Sequence, residues 1–181
     1  SMGSKQVRDF RKQVQLVFQD PYSSLNPRLT VGQAILEPMQ VHGLHGNDVN
    51  RKKKLHWLLE RVGLRSEWQH RYPHQFSGGQ RQRICIARAL AVDPAFLICD
   101  ESVSALDVSV QAQVLNLLNE LKSDLGLTYV FISHDMSVVR YMSDRIMVMN
   151  KGRIEEIGEA RQVCDEPVST YTKSLIDAIP T

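Results

Sequence analysis

Two acids in succession, Asp100-Glu101, close the apolar run Ala95-Phe96-Leu97-Ile98-Cys99. Such a run reads as a buried parallel strand that carries its carboxylates at the C-terminal tip. In open α/β sheets that tip is where ligands bind. An acid there can hold the Mg²⁺ of a nucleotide, and its neighbour can orient an attacking water. A second group lies upstream in Phe76-Ser77-Gly78-Gly79-Gln80-Arg81-Gln82-Arg83, ahead of an alanine-rich run to Val92. Its two glycines leave backbone N–H groups bare where an anion can approach closely. Ser77 suits an N-cap, and Gln80, three residues on, completes a capping box. By itself this second group is also what any capped helix after a loop would show.

Elements must place these residues. Val14–Phe18 is a β-prone run ending at Gln19-Asp20-Pro21, and Pro21, Asn26 and Pro27 impose a loop. Residues 30–42 and 48–62 read as two helices, the first expected to bend or end early at Pro38. The second carries the stripe Leu55, Leu58, Leu59 and Val62, preceded by Arg51-Lys52-Lys53-Lys54, which reads as a solvated face. Ile84, Ala87, Arg88 and Ala91 share one face behind the glycine pair, with Ile86 and Leu90 beside them. After Asp107 a long amphipathic helix runs through Val110, Val114, Leu117, Leu118, Leu121 and Leu125 to a stop at Gly126. Tyr129–Ile132 is a further buried strand that delivers His134. Residues 145–150 and 153–157 flank Lys151-Gly152 as a hairpin with a tight turn.

Composition bounds the functions. With 181 residues, 43% hydrophobic and 23% charged, the chain has room for one domain with a core. A net charge of +2 makes no case for nucleic acid. No apolar run approaches the roughly 20 residues of a membrane-spanning helix. Cys85, Cys99 and Cys164 are scattered, so small core residues in a reducing compartment are expected, with neither a disulfide framework nor a zinc site. His42, His45, His56, His70 and His74 show no ligand spacing, and Trp57 and Trp68 read as packing residues.

Taken together, these motifs resemble the ATP-binding subunits of ABC transporters. Phe76–Gln80 is similar to the family's signature motif, with Phe76 where leucine is usual. Phe96–Asp100 resembles the Walker B strand, Ser104–Asp107 the D-loop, and Ile132-Ser133-His134-Asp135 the switch-histidine loop. The resemblance implies an α/β fold of the P-loop NTPase type, a parallel RecA-like sheet core with a helical subdomain. It implies Glu101 as catalytic glutamate, His134 as the group that holds the γ-phosphate, and Gln19 as the Q-loop glutamine toward Mg²⁺ or the attacking water. Asp100 and Gln19 would hold Mg²⁺. Ser77, Gly78, Gly79 and Gln80 would bind the ATP of a second ATPase subunit or domain across a dimer interface, and Asp107 would couple the two sites.

The implied organisation is 1–12 tag remnant and leader, 13–29 strand and Q-loop, and 30–92 helical subdomain with the signature. Residues 93–160 follow as the core part with Walker B, D-loop and switch histidine, and 161–181 as a tail. The helical subdomain would dock on transmembrane permease subunits, placing the protein in the cytoplasm on the inner face of the membrane. The phrase Phe18-Gln19-Asp20-Pro21-Tyr22-Ser23-Ser24-Leu25-Asn26-Pro27-Arg28 and the tail 164–180 resemble dipeptide and oligopeptide importer ATPases. Nickel and glutathione importers share much of that phrase, so the solute stays open.

One motif is not present. None of the eight lysines follows G-x-x-x-x-G, the P-loop that wraps phosphates in backbone N–H groups. The expectation is therefore a piece of the family's nucleotide-binding domain truncated at the N-terminus, a naturally reduced protein being the alternative. Such a piece is expected to have negligible ATPase activity alone, and its sheet to expose apolar edges that invite self-association. Two other readings stand beside it. A soluble ABC ATPase of translation or DNA repair would call for a second signature set, a coiled coil or a zinc insert. A non-catalytic module would use the helical insert to bind a protein partner.

Overall fold

The computed structural model describes residues 3–178. The chain divides into two compact units, one up to Val130 and one from Phe131 on. Residues 1–2 of the expected remnant and 179–181 of the tail lie outside the described residues.

In the first unit, helix α1 (Ser4–Gln13) leads directly into strand β1 (Val14–Val17). In the sequence 1–12 reads as remnant and leader, whereas the structure forms a helix there, with Val7 and Phe10 at helical spacing and no residue buried. Strand β2 (Phe96–Asp100) pairs in parallel with β1, Val14 opposite Phe96 and Val17 opposite Cys99. Strand β3 (Thr128–Ile132) completes the order β1-β2-β3, and the chain passes into the second unit within it.

The expectation of a strand buried on both faces needs correction. Leu97 and Cys99 are fully buried, whereas Leu16, Phe96 and Val130 are 37%, 44% and 48% exposed. The residues alternate because helices cover only one face of the sheet. On the covered face the Tyr129 hydroxyl donates to the Leu118 carbonyl at 2.8 Å. The apolar exposure seen is on a face of the sheet, not the edge exposure expected from the sequence.

Short helix α2 (Pro21–Ser24) is capped by Asp20, whose carboxylate accepts from the N–H groups of Tyr22 (2.8 Å) and Ser23 (3.3 Å). Helix α3 (Val31–Val41) starts with a capping box, Thr30 with Gln33. It runs through Pro38 and does not end there. A mid-helix proline costs about 3 kcal/mol. Burial of Val31, Ile35 and Met39, each worth about 1.5–3 kcal/mol, offsets that cost. Helix α4 (Asp48–Arg61) buries Leu55, Leu58 and Leu59 as its stripe requires. Its basic run is only half solvated. Arg51 pairs with Asp48 at 2.9 Å, and Lys54 with Asp93 at 2.6 Å, while Lys52 and Lys53 are exposed.

Two 3₁₀ turns, Ser66–His70 and Pro73–Gln75, lead to α5 (Gly78–Leu90). This helix is buried nearly all round, including Arg81, Gln82, Ile84, Cys85, Ile86 and Ala87, so the single apolar face expected from the sequence is too narrow. Helix α6 (Val108–Leu125) is capped by Asp107 and ends at Gly126 in the left-handed conformation (φ 63°).

The second unit contains α7 (Met136–Met142), strands β4 (Arg145–Asn150) and β5 (Arg153–Glu159), α8 (Ala160–Asp165) and α9 (Thr170–Asp177). β4 and β5 form the expected antiparallel hairpin, with φ of 46° at Lys151 and 77° at Gly152. Its core joins Val139, Ile146, Val148, Ala160, Val163 and Cys164.

Candidate functional site

The signature segment begins with the capping box that its sequence predicts. Ser77 Oγ accepts from Gln80 N–H at 3.3 Å, and Gln80 Oε1 accepts from Ser77 N–H at 3.0 Å. Ser77 is exposed, which leaves the positive end of the 13-residue helix open to an anion. Phe76, at the position where the resemblance expects leucine, is buried and meets Trp68 edge-on at 5.8 Å between ring centres.

The two glycines differ in kind. A Cβ on Gly78 would sit 3.6 Å from Leu106, an ordinary contact. A Cβ on Gly79 would sit 2.2 Å from Val110 Cγ1, well inside contact distance. Gly79 is therefore bare because α6 presses on it, a packing role that its sequence motif does not reveal. Asp107 sits at that contact as N-cap of α6, accepting from Val110 N–H at 3.0 Å. The signature and the D-loop are thus packed against each other within one unit.

Asp100 is exposed at the last position of β2, and Glu101 follows in the left-handed region with φ 45°. For a non-glycine residue this conformation costs on the order of 1–2 kcal/mol. Ser104 holds the turn, its N–H and its hydroxyl both donating to the Glu101 carbonyl at 3.0 and 2.9 Å. Gln19, beyond the end of β1, donates from Nε2 to Ser104 Oγ at 3.2 Å. Gln19, Asp100 and Glu101 are thereby gathered at the C-terminal tips of adjacent parallel strands, with the Ser104 hydroxyl joining them. The sequence signals Ser104 only as the first residue of the D-loop.

His134 lies in the second unit, exposed, between β3 and α7. Its loop is held by Ser133 Oγ, which accepts from Asp135 N–H at 3.1 Å, and by Asp135, which caps α7 through Ser137 N–H at 2.8 Å. Burial raises the thiols of Cys85 to about 11 and Cys99 to about 12. All three cysteines are free and buried.

For Mg²⁺ the donors at hand are the Asp100 carboxylate and the Gln19 amide oxygen, hard oxygen ligands of the type this ion takes together with phosphate and water. Among the described residues no three His, Cys, Asp or Glu side chains gather as metal ligands. The donor set fits an ion held largely by the phosphates of a nucleotide.

The family model described as ABC transporter matches residues 1–104, more than half of the chain. The chain belongs to the ABC transporter ATP-binding family. It is 55% identical over 176 residues to the oligopeptide transport ATP-binding protein OppF of Bacillus subtilis, covering 97% of this chain and 58% of that protein. It is 54% identical over 181 residues to the glutathione import ATP-binding protein GsiA of Escherichia coli, covering 99% of this chain and 29% of that protein. Among solved structures it is similar to cbiO1 from Clostridium perfringens, part of the ABC transporter complex cbiONQ. That match has a TM-score of 0.81 and 30% identity, and it covers 92% of this chain and 64% of the other. The chain therefore spans from under a third to under two thirds of the length of these relatives. The α/β architecture with a parallel sheet agrees with this membership.

Proposed function

We propose that this chain is the signature-bearing part of an ATP-hydrolysing subunit that powers an importer of peptides or of peptide-like solutes. The observation that carries the reading is the cluster at the strand tips, where Gln19 reaches Ser104 and Ser104 holds the carbonyl of Glu101. Similarity to proteins named for oligopeptide transport and for glutathione import supports the solute class.

In this reading Glu101 accepts a hydrogen bond from the attacking water and orients it, and the fixed turn at Ser104 supplies its position. Asp100 and Gln19 hold Mg²⁺, which when bound neutralises charge on the phosphate oxygens. The first turn of α5 offers N–H groups and its dipole to the phosphates of the nucleotide carried by a second ATPase subunit or domain. Asp107 couples the two nucleotide sites across the dimer interface. His134 holds the γ-phosphate. Residues 30–92 dock on transmembrane permease subunits. Among the described residues no helix is long and apolar enough to cross a membrane, and we place the protein peripherally on the inner face through those subunits.

The test is Mg-ATP turnover by this chain and by the full-length protein that contains it. Negligible turnover is expected of the 181 residues alone, which contain no G-x-x-x-x-G-K-[ST] sequence. Steady turnover is expected of the full-length protein, lost by about 100-fold or more in Glu101→Gln. A full-length protein that binds no nucleotide would overturn the reading and favour a protein-binding module.

A further inference from the structure

We propose that Arg81 is a positioning residue, which seats the segment after Gln19 on the signature helix through the face of Tyr22; the proposal rests on the function given above. Arg81 is only 6% exposed, unusual for a cation that forms no ion pair among the described residues. Its Nε donates to the Pro73 carbonyl at 2.8 Å, and its guanidinium carbon lies 3.7 Å from the centre of the Tyr22 ring. Its Nη1 is buried and has no hydrogen-bond partner. A buried guanidinium with one nitrogen unsatisfied is a poor source of stability. What the arrangement supplies is geometry, since the fork is fixed at Nε by a carbonyl and its central carbon lies over the ring.

The ring it covers belongs to the short helix α2. Pro21 and Leu25 are buried, and Arg88, about two turns further along the same face of α5, donates to the Ser24 carbonyl. Tyr22 itself is 66% exposed, so the cation is what gives the ring a fixed place. Asp20 caps this turn through the Tyr22 and Ser23 N–H groups and is bonded to Gln19 in the chain. A shift of the Tyr22 ring is therefore passed to Gln19, whose amide must reach Ser104. Arg81 also follows Gln80 directly, so the cation that sets Gln19 stands on the first turns of the signature helix.

The experiment has two arms. Amide exchange at residues 22–25 in the 181-residue chain is compared in wild type, Arg81→Met, Tyr22→Ala and Tyr22→Phe. Arg81→Met and Tyr22→Ala are expected to exchange about three- to thirty-fold faster, the range expected for losing a cation–π contact of partly to fully desolvated kind. Tyr22→Phe keeps the ring and the wild-type protection. In the full-length protein the same two variants lower kcat with KM for ATP nearly unchanged, and the double variant falls no further than the worse single one. Unchanged exchange overturns the clamp. Faster exchange with unchanged kcat overturns the positioning role and leaves Arg81 a structural residue. A wild-type full-length protein without ATPase activity overturns the functional reading and this proposal with it, and is recognised because the exchange arm still responds. Tyr22, being largely exposed, keeps the test decisive where Arg81→Met fails to fold.

Discussion

Replacing Gly79 by alanine separates two accounts of why a glycine stands in the signature. If it serves only close approach of an anion, Gly79→Ala improves helix α5, by up to about 1 kcal/mol and less near the N-terminus. The structure predicts the opposite sign. The new methyl would fall 2.2 Å from Val110 Cγ1, where carbon atoms normally rest about 3.5–4.0 Å apart. Val110 can give way only by changing its χ1, which a β-branched side chain in a helix resists, or by moving α6 outward. Overpacking of this kind costs about 1–3 kcal/mol, so a net loss near 1 kcal/mol is expected after the helix gain. Val110→Ala removes Cγ1 and leaves Val110 Cβ at a comfortable 3.7 Å from the new methyl. It should therefore rescue Gly79→Ala, with a coupling of about 1–3 kcal/mol. Urea unfolding of wild type, both single variants and the double variant, followed by circular dichroism, measures this. Gly78→Ala serves as control, because its methyl meets Leu106 at 3.6 Å. Additivity of the pair to within about 0.5 kcal/mol would refute the packing account.

Two further outcomes follow from burial and charge. With thiols near 11 and 12, Cys85 and Cys99 are ionised to less than about one part in a thousand near pH 7.5. Brief treatment with iodoacetamide should label none of the three buried cysteines natively and all three in urea; native labelling of Cys85, read by mass spectrometry, would contradict the core placement. Glu156 accepts from the N–H groups of Val168 (2.9 Å) and Ser169 (3.0 Å), bonds that hold its carboxyl below the ordinary 4.5. Because the folded value is the lower one, this support of the α9 start is present above pH 4.5 and disappears as pH falls through the depressed value. Glu156→Gln should remove that acid dependence from the exchange of the two amides, and an unchanged pH profile would refute the assignment.

The features legible in the sequence are those with local causes. Ser77 and Gln80 announce a capping box, Asp107 and Gly126 bracket α6, and Lys151-Gly152 marks the hairpin, each because a few adjacent residues decide the backbone. The gathering of Gln19, Asp100 and Glu101 was legible as motif order, yet the Ser104 hydroxyl that joins them was not. A serine in a loop has no periodicity to betray its partner. The same holds for Gly79 against Val110 and for Arg81 on Tyr22, pairs distant in the chain that only tertiary packing selects. The helix does not end at Pro38 because the burial of Val31, Ile35 and Met39 offsets a cost that local reading weighs alone. Strand β2 was misread because an apolar run does not say which of its two faces the helices cover. Helix α1 is missed because its segment reads as a remnant and leader, although Val7 and Phe10 stand at helical spacing.

The contact of Phe76 with Trp68 also gives the molecule an optical reporter. An indole beside an aromatic edge emits according to how closely and at what angle the two rings meet, and this edge belongs to the residue that immediately precedes Ser77. In the proposed function, a nucleotide seated on the first turn of α5 would disturb Phe76 and with it the surroundings of Trp68. In a Trp57→Phe background the remaining indole becomes the chief emitter, and its wavelength follows engagement of the signature without any attached dye.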